Sequence, residues 1–157
     1  MHNLKKRNSD NQKGFTIIEV MIVLAIAGLI MLIVFLAVPA LQRNSRNTQY
    51  KNDAASILAA ASEFTNNNNG TIPVTANNGA IMALTKTKSI TGLVIQTGSA
   101  ANISPTFDTA TIDTGRKCNA NVGGTAYSTT ASATRAMVIV YAVEDSAGAV
   151  VAQCTES

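Results

Sequence analysis

From Val20 to Val38 the chain runs through nineteen consecutive uncharged residues, all apolar apart from Gly28. At a rise of about 1.5 Å per residue, such a helix spans roughly 28 Å, close to the hydrocarbon thickness of a bilayer. Apolar side chains fall on every side of it, so it has no polar face to turn to water. Beyond Pro39 the pattern changes without a break. Leu41, Thr48, Ala55, Leu58, Ala61 and Phe64 recur at spacings of mostly three or seven, among Gln, Asn, Arg, Lys and Asp. That spacing predicts an amphipathic continuation of the same helix, ending at the Asn66–Gly70 run. From Phe15 to Thr65 the helix is about 75 Å long. Pro39 removes a backbone donor and crowds the carbonyl of Phe35, which predicts a kink there. Gly28 is a second weak point, at a cost of up to about 1 kcal/mol against Ala in water.

After Gly70 the turn signals are dense and the segments short. Ser89–Thr97 and Thr106–Thr114 are Thr-rich and β-branched, the composition of short strands. Arg135–Val143 has an unbroken apolar centre and is the strongest strand candidate, with Glu144–Gly148 as a turn and Ala149–Cys154 as the returning strand. One long helix against a few antiparallel strands is an α+β arrangement. The expected organisation is a basic leader over 1–14, an apolar helix over 15–40, its amphipathic continuation over 41–65, and a β-rich head over 66–157.

Charge changes the picture through its distribution. The formal net charge is +3 over 157 residues. Lys5, Lys6, Arg7 and Lys13 precede Phe15, offset only by Asp10, and from Phe15 onward eight Lys/Arg meet eight Asp/Glu. Removal of the first fourteen residues leaves a neutral protein, and the electrostatic case for a nucleic-acid partner goes with them. The basic flank keeps the amino end on the cytoplasmic side and sends the rest outward. The only histidine is His2, so nothing after the leader supplies an imidazole for nucleophilic catalysis. No phosphate loop and no metal-spaced acid pair is present, and no cofactor or metal is expected. Glu144 and Asp145 read as a solvated turn tip, and the chain is not read as an enzyme. On an exported domain the two cysteines, Cys118 and Cys154, suggest one disulfide; the other reading is two unpaired small hydrophobes.

Glu19 is the anomaly of the apolar run. A carboxylate with Ile18 before it and Val20 after it carries a cost in hydrocarbon of at least about 2.5 kcal/mol unless something offsets it. A buried core helix, a secretory signal cut near Val38-Pro39-Ala40, and a plain single-span anchor are other readings of the run. The core-helix reading lacks aromatics to surround a helix apolar on every side, and neither of the other two explains the placing of Gly14 and Glu19.

Lys13-Gly14-Phe15-Thr16-Ile17-Ile18-Glu19-Val20, behind a basic leader and ahead of an apolar helix, resembles the processing site of type IV prepilins. The likeness is specific over the first fifty residues or so and architectural beyond them; the cysteine pair near the carboxyl end also resembles the pilin pattern. It implies the pilin lollipop, a helix half transmembrane and half packed on a small antiparallel head. It implies cleavage between Gly14 and Phe15 by prepilin peptidase, an inner-membrane aspartic protease, and N-methylation of Phe15. Glu19 takes the place of the assembly glutamate, and Gly28 falls where family helices often carry a glycine. The family proline commonly falls about where Leu36 stands; here it is Pro39. Several filaments of this kind unwind the helix between that glycine and that proline.

Physical chemistry makes the implied role of Glu19 intelligible. Cleavage creates an amine at Phe15 that can pair with Glu19 of the same helix or of a neighbouring subunit, and a misaligned neighbour leaves a charge buried and unpaired. The implied function is a structural subunit of an extracellular type IV pilus, serving adhesion, twitching motility or both. Its partners are copies of itself in a helical filament, the inner-membrane pilus assembly machinery and, before assembly, membrane lipid around a single-pass precursor. The alternatives are a pseudopilin of a type II-like secretion system and a minor pilin or adhesin.

Overall fold

In a computed structural model of the chain, residues 14–99 and 102–157 are described. The leader, apart from Gly14, lies outside them. The chain divides into two compact units at the Pro39–Ala40 peptide. One helix, α1 (Ile17–Asn67), begins in the first unit and ends in the second, with Pro39 inside it.

In the first unit no side chain of the apolar run is covered. Ile17 is 81% exposed, Leu24 66% and Phe35 75%. An 18-residue window of α1 reaches a mean hydropathy of 3.2, long and apolar enough to cross a membrane.

The second unit is α+β. After α1 come a 3₁₀ turn (Thr75–Asn77), a short helix α2 (Asn78–Leu84), and six strands: β1 (Gly92–Thr97), β2 (Thr109–Thr114), β3 (Arg116–Val122), β4 (Ala126–Ala131), β5 (Met137–Glu144) and β6 (Val150–Glu156). Four of them form one sheet in the order β1-β2-β5-β6, and β3 and β4 form a separate two-stranded ribbon. The sheet is mixed rather than antiparallel throughout. β1 and β2 run parallel, Gly92 opposite Thr109, because α1 and the segment after it deliver β1 at the outer edge with a crossover to β2. The β5–β6 hairpin is where its pattern placed it, with Gly148 at φ 84° turning the chain. The ribbon β3–β4 and helix α2 have no strong sequence pattern: β3 reads RKCNANV and is largely exposed.

Helix α1 lays Asp53, Ala54, Ile57, Leu58, Ala60, Ala61 and Thr65 on one face of the sheet. They meet Leu93, Ile95, Ala110, Ile112, Met137, Ile139 and Tyr141. The three alanines bring the helix backbone close to the strands. This corrects the expected stripe: Leu58 and Ala61 are buried and Phe64 is half-buried, but Leu41, Thr48 and Ala55 face solvent. A seven-residue repeat drifts about 20° per heptad on a straight helix, and the buried band follows the true 3.6 period instead. Tyr50 closes the core by stacking on Phe107, ring centroids 5.7 Å apart. The helix ends through Asn69 (φ 55°) and Gly70 (φ 81°), whose N–H donates to the carbonyl of Thr65 at 2.8 Å.

Backbone groups on both free edges of the sheet are engaged. On the β1 edge the Thr75 hydroxyl donates to the Ile95 carbonyl at 2.7 Å, and the Asn78 amide donates to that of Leu93 at 2.8 Å. On the β6 edge Ala152 donates its N–H to Gly124 at 2.9 Å and accepts from the Asn121 side chain at 2.7 Å.

Candidate functional site

Gly14 and Phe15 precede the helix and are exposed, Phe15 at 89%. Thr16 is the residue before the first helical one, and Glu19 is the third residue of the first turn. Their side chains close a reciprocal cap. Glu19 Oε2 accepts from the Thr16 N–H at 2.8 Å and from the Thr16 hydroxyl at 2.7 Å, while the Glu19 N–H donates to Thr16 Oγ1 at 3.3 Å. A helix start leaves its first N–H groups without partners, and this exchange satisfies two of them. The partner of Glu19 is thus Thr16 of its own helix. The Thr-x-x-Glu spacing ahead of an apolar run is a legible signal for this cap, and the sequence reading passed over it. Glu19 itself is exposed.

Gly28 sits mid-helix with open space around the position a Cβ would take. The helix runs on through Gly28 and Pro39 without ending.

In the second unit the structure shows polar joints that the pattern of residues does not announce. Arg46 grips Glu144 with two hydrogen bonds, Nε to Oε1 at 2.9 Å and Nη2 to Oε2 at 2.6 Å. Next to it the Asn47 side chain donates to the Glu144 carbonyl at 2.7 Å and accepts from the Glu144 N–H at 2.8 Å. The Arg46 hydrogen bonds hold the Glu144 carboxyl below its ordinary value. Glu144 is therefore no free turn tip: it ties the end of β5 to α1, while Asp145 accepts from Ala147 and Ala149 within the turn. Asp53, expected on the polar side of the helix, is 7% exposed, and its Oδ2 accepts the N–H groups of Lys88, Ser89 and Ile90 at 3.0, 2.6 and 3.2 Å.

Cys118 of β3 and Cys154 of β6 are joined in a disulfide across a sequence separation of 36. Among the described residues no group of three or more His, Cys, Asp or Glu is placed to hold a metal.

Residues 9–35 match the family model of the prokaryotic N-terminal methylation motif, which is the type IV prepilin leader signature. The match spans Gly14, Phe15, the Thr16–Glu19 cap and the apolar part of α1 as far as Phe35. The match supports a substrate of the type IV pilin-like or pseudopilin kind, whose members are structural proteins. No curated protein and no solved structure matches the chain significantly.

Proposed function

We propose that the chain is a precursor of a type IV pilus subunit, cut between Gly14 and Phe15, N-methylated on Phe15, and polymerised through α1 into an extracellular filament. The observation that carries this is an apolar helix, exposed along its run among the described residues of its own unit, whose first part lies within a prepilin leader signature. Each Leu, Ile, Val, Phe or Met side chain moved from water to an apolar setting gains about 1.5–3 kcal/mol, so this surface requires a cover at every stage. Lipid supplies it to a single-pass precursor in the cytoplasmic membrane. Copies of α1 supply it in the filament, where a repeating heterologous contact does not close on itself. Adhesion and twitching motility are the activities such a filament serves. Prepilin peptidase and the inner-membrane assembly machinery are the partners that processing and extraction require.

Glu19 is the register element of this reading. In the precursor its carboxylate is occupied by Thr16. Cleavage adds the Phe15 amine beside that pair, and an incoming subunit's amine competes for the same carboxylate. Gly28 and Pro39 are the positions at which α1 yields most easily when helices crowd into a filament core. A pseudopilin of a secretion system shares the leader logic; growth of long surface filaments by cells carrying this gene separates the pilus from it.

Mass spectrometry of the mature protein tests the processing. A methylated Phe15 at the amino terminus is expected, and a start at Leu41 overturns the proposal in favour of an ordinary secreted protein. Glu19→Ala is expected to leave cleavage intact and to lower filament yield in electron micrographs. Normal filament yield from that variant removes the register role.

A further inference from the structure

β2 and β5 pair antiparallel up to Thr114 opposite Met137, and β3 and β4 pair antiparallel from Arg116 opposite Ala131. The two ladders are one long hairpin, interrupted by Gly115 on one side and residues 132–136 on the other, with a further register shift between Cys118 and Ala120. Gly115 has φ 73°, donates its N–H to Ala136 at 2.7 Å and accepts from Ser132 at 2.9 Å. At this point the hairpin bends, and its distal half folds back as a flap over the sheet face opposite α1. On that face Val140, 0% exposed, packs with Tyr127 of the flap and with Ile103.

What holds the flap down differs in kind from what holds α1. Its apolar contact is a small cluster of Ile103, Val140 and Ala152 with Tyr127 and Cys154 packed against it, beside fifteen buried residues on the α1 side. The remainder is polar or covalent. Asp113, fully buried, accepts from the Thr129 hydroxyl at 2.8 Å and lies 3.7 Å from Arg116 Nε. Glu156 accepts the Cys118 N–H at 2.7 Å. The Cys118–Cys154 disulfide then fastens the flap strand β3 to the sheet edge β6.

We propose that the β3–β4 flap is a redox-latched layer, docked by the Cys118–Cys154 bond and released as a unit at the Gly115 hinge when that bond is reduced. A dithiol reductant, of the kind carried by envelope thiol oxidoreductases, exchanges with the disulfide. It leaves two protein thiols and is itself converted to a disulfide. The sheet keeps its α1 face, since no residue of that core lies in the flap. The hinge carries the motion because Gly115 tolerates left-handed backbone and residues 132–136 are for the most part exposed. The oxidised form is the one with a sealed surface, so disulfide formation becomes a condition for a subunit that packs cleanly among its neighbours.

Hydrogen exchange by mass spectrometry on the folded full chain in detergent, with and without a dithiol reductant, tests the latch. Reduction is expected to raise exchange across 116–131 by on the order of 100-fold, the scale of the lost loop-closure constraint, with α1 residues 53–65 and β1, β2 and β5 unchanged. The Cys118→Ala/Cys154→Ala variant, where it folds, gives the same local pattern without reductant. Exchange rising together over both faces of the sheet overturns the proposal, because the bond then supports the whole unit. Unchanged exchange in 116–131 overturns it as well, because the flap then stays docked without its latch.

Discussion

Asp53→Ala removes the acceptor that joins α1 to the segment leading into β1. In the intact protein one carboxylate oxygen, Oδ2, receives three successive backbone N–H groups at 3.0, 2.6 and 3.2 Å, on a residue only 7% exposed. A hydrogen bond to a charged group contributes about 1.5–3 kcal/mol net. Three bonds to a single oxygen do not add in full, and release of a buried carboxylate returns part of the loss, so a total of about 3–4 kcal/mol follows. Asp53→Asn keeps a carbonyl oxygen at nearly the same place. Charge-assisted bonds are roughly twice as strong as neutral ones, so this variant retains about half the effect, a loss of about 2 kcal/mol. Guanidinium unfolding of the full chain in detergent supplies the measurement. The chain has no Trp, so near-ultraviolet circular dichroism of Tyr50 and Tyr141, which sit in or against the α1–sheet core, reports the transition. A loss under about 1 kcal/mol for the alanine variant, or equal losses for both variants, refutes the reasoning: the first denies that the joint matters, the second that the charge does.

Glu144→Gln is expected to destabilise near neutral pH but not in acid. The Arg46 bonds lower the folded-state value of Glu144, so its contribution is fully present above the ordinary 4.5 and disappears as pH falls through the lowered value. Unfolding midpoints of wild type and variant should converge between pH 5 and 3, on the order of the window where a carboxylate titrates, and a difference that does not vary with pH contradicts the assignment. Gly70→Ala is expected to cost about 1–2 kcal/mol from the left-handed backbone, on top of collision of the new methyl with the Arg135 guanidinium. In an Arg135→Ala background only the collision is relieved; urea midpoints showing no remaining cost there would mean the backbone is unstrained.

The parts of the fold that were legible in sequence are those where one residue and its near neighbours decide the outcome. The apolar run needs no partner to be recognised, and the Asn66–Gly70 stop carries its own turn chemistry. The β5–β6 hairpin was readable because Val138 to Val143 are apolar on both faces and Gly148 marks the turn. What stayed hidden depends on groups far apart along the chain. Arg46 and Glu144 are 98 positions apart, and Asp53 and Ser89 are 36 apart. Nothing local distinguishes Asp53 from the solvated polar residues around it. The ribbon β3–β4 was missed because it packs on the sheet through a disulfide and polar side chains, so its strands never needed an alternating apolar pattern. The parallel β1–β2 pairing is likewise a property of the route the chain takes between them. At the start of α1 the Gly14, Phe15 and Glu19 pattern was plain, whereas the Thr16 cap was overlooked although its spacing was in view.

The engaged sheet edges bear on how such subunits live together. A filament coat concentrates its subunits far beyond what most domains experience in solution, and two bare strand edges at that concentration would join into a continuous ladder. Here the Ile95 and Leu93 carbonyls are already engaged by Thr75 and Asn78, and Ala152 by Gly124 and Asn121. In the proposed filament these engagements oppose edge-to-edge pairing of neighbouring sheets and leave growth to the helix. On that proposal, polymerisation and aggregation fall to different halves of the same chain, and the sheet resists the second.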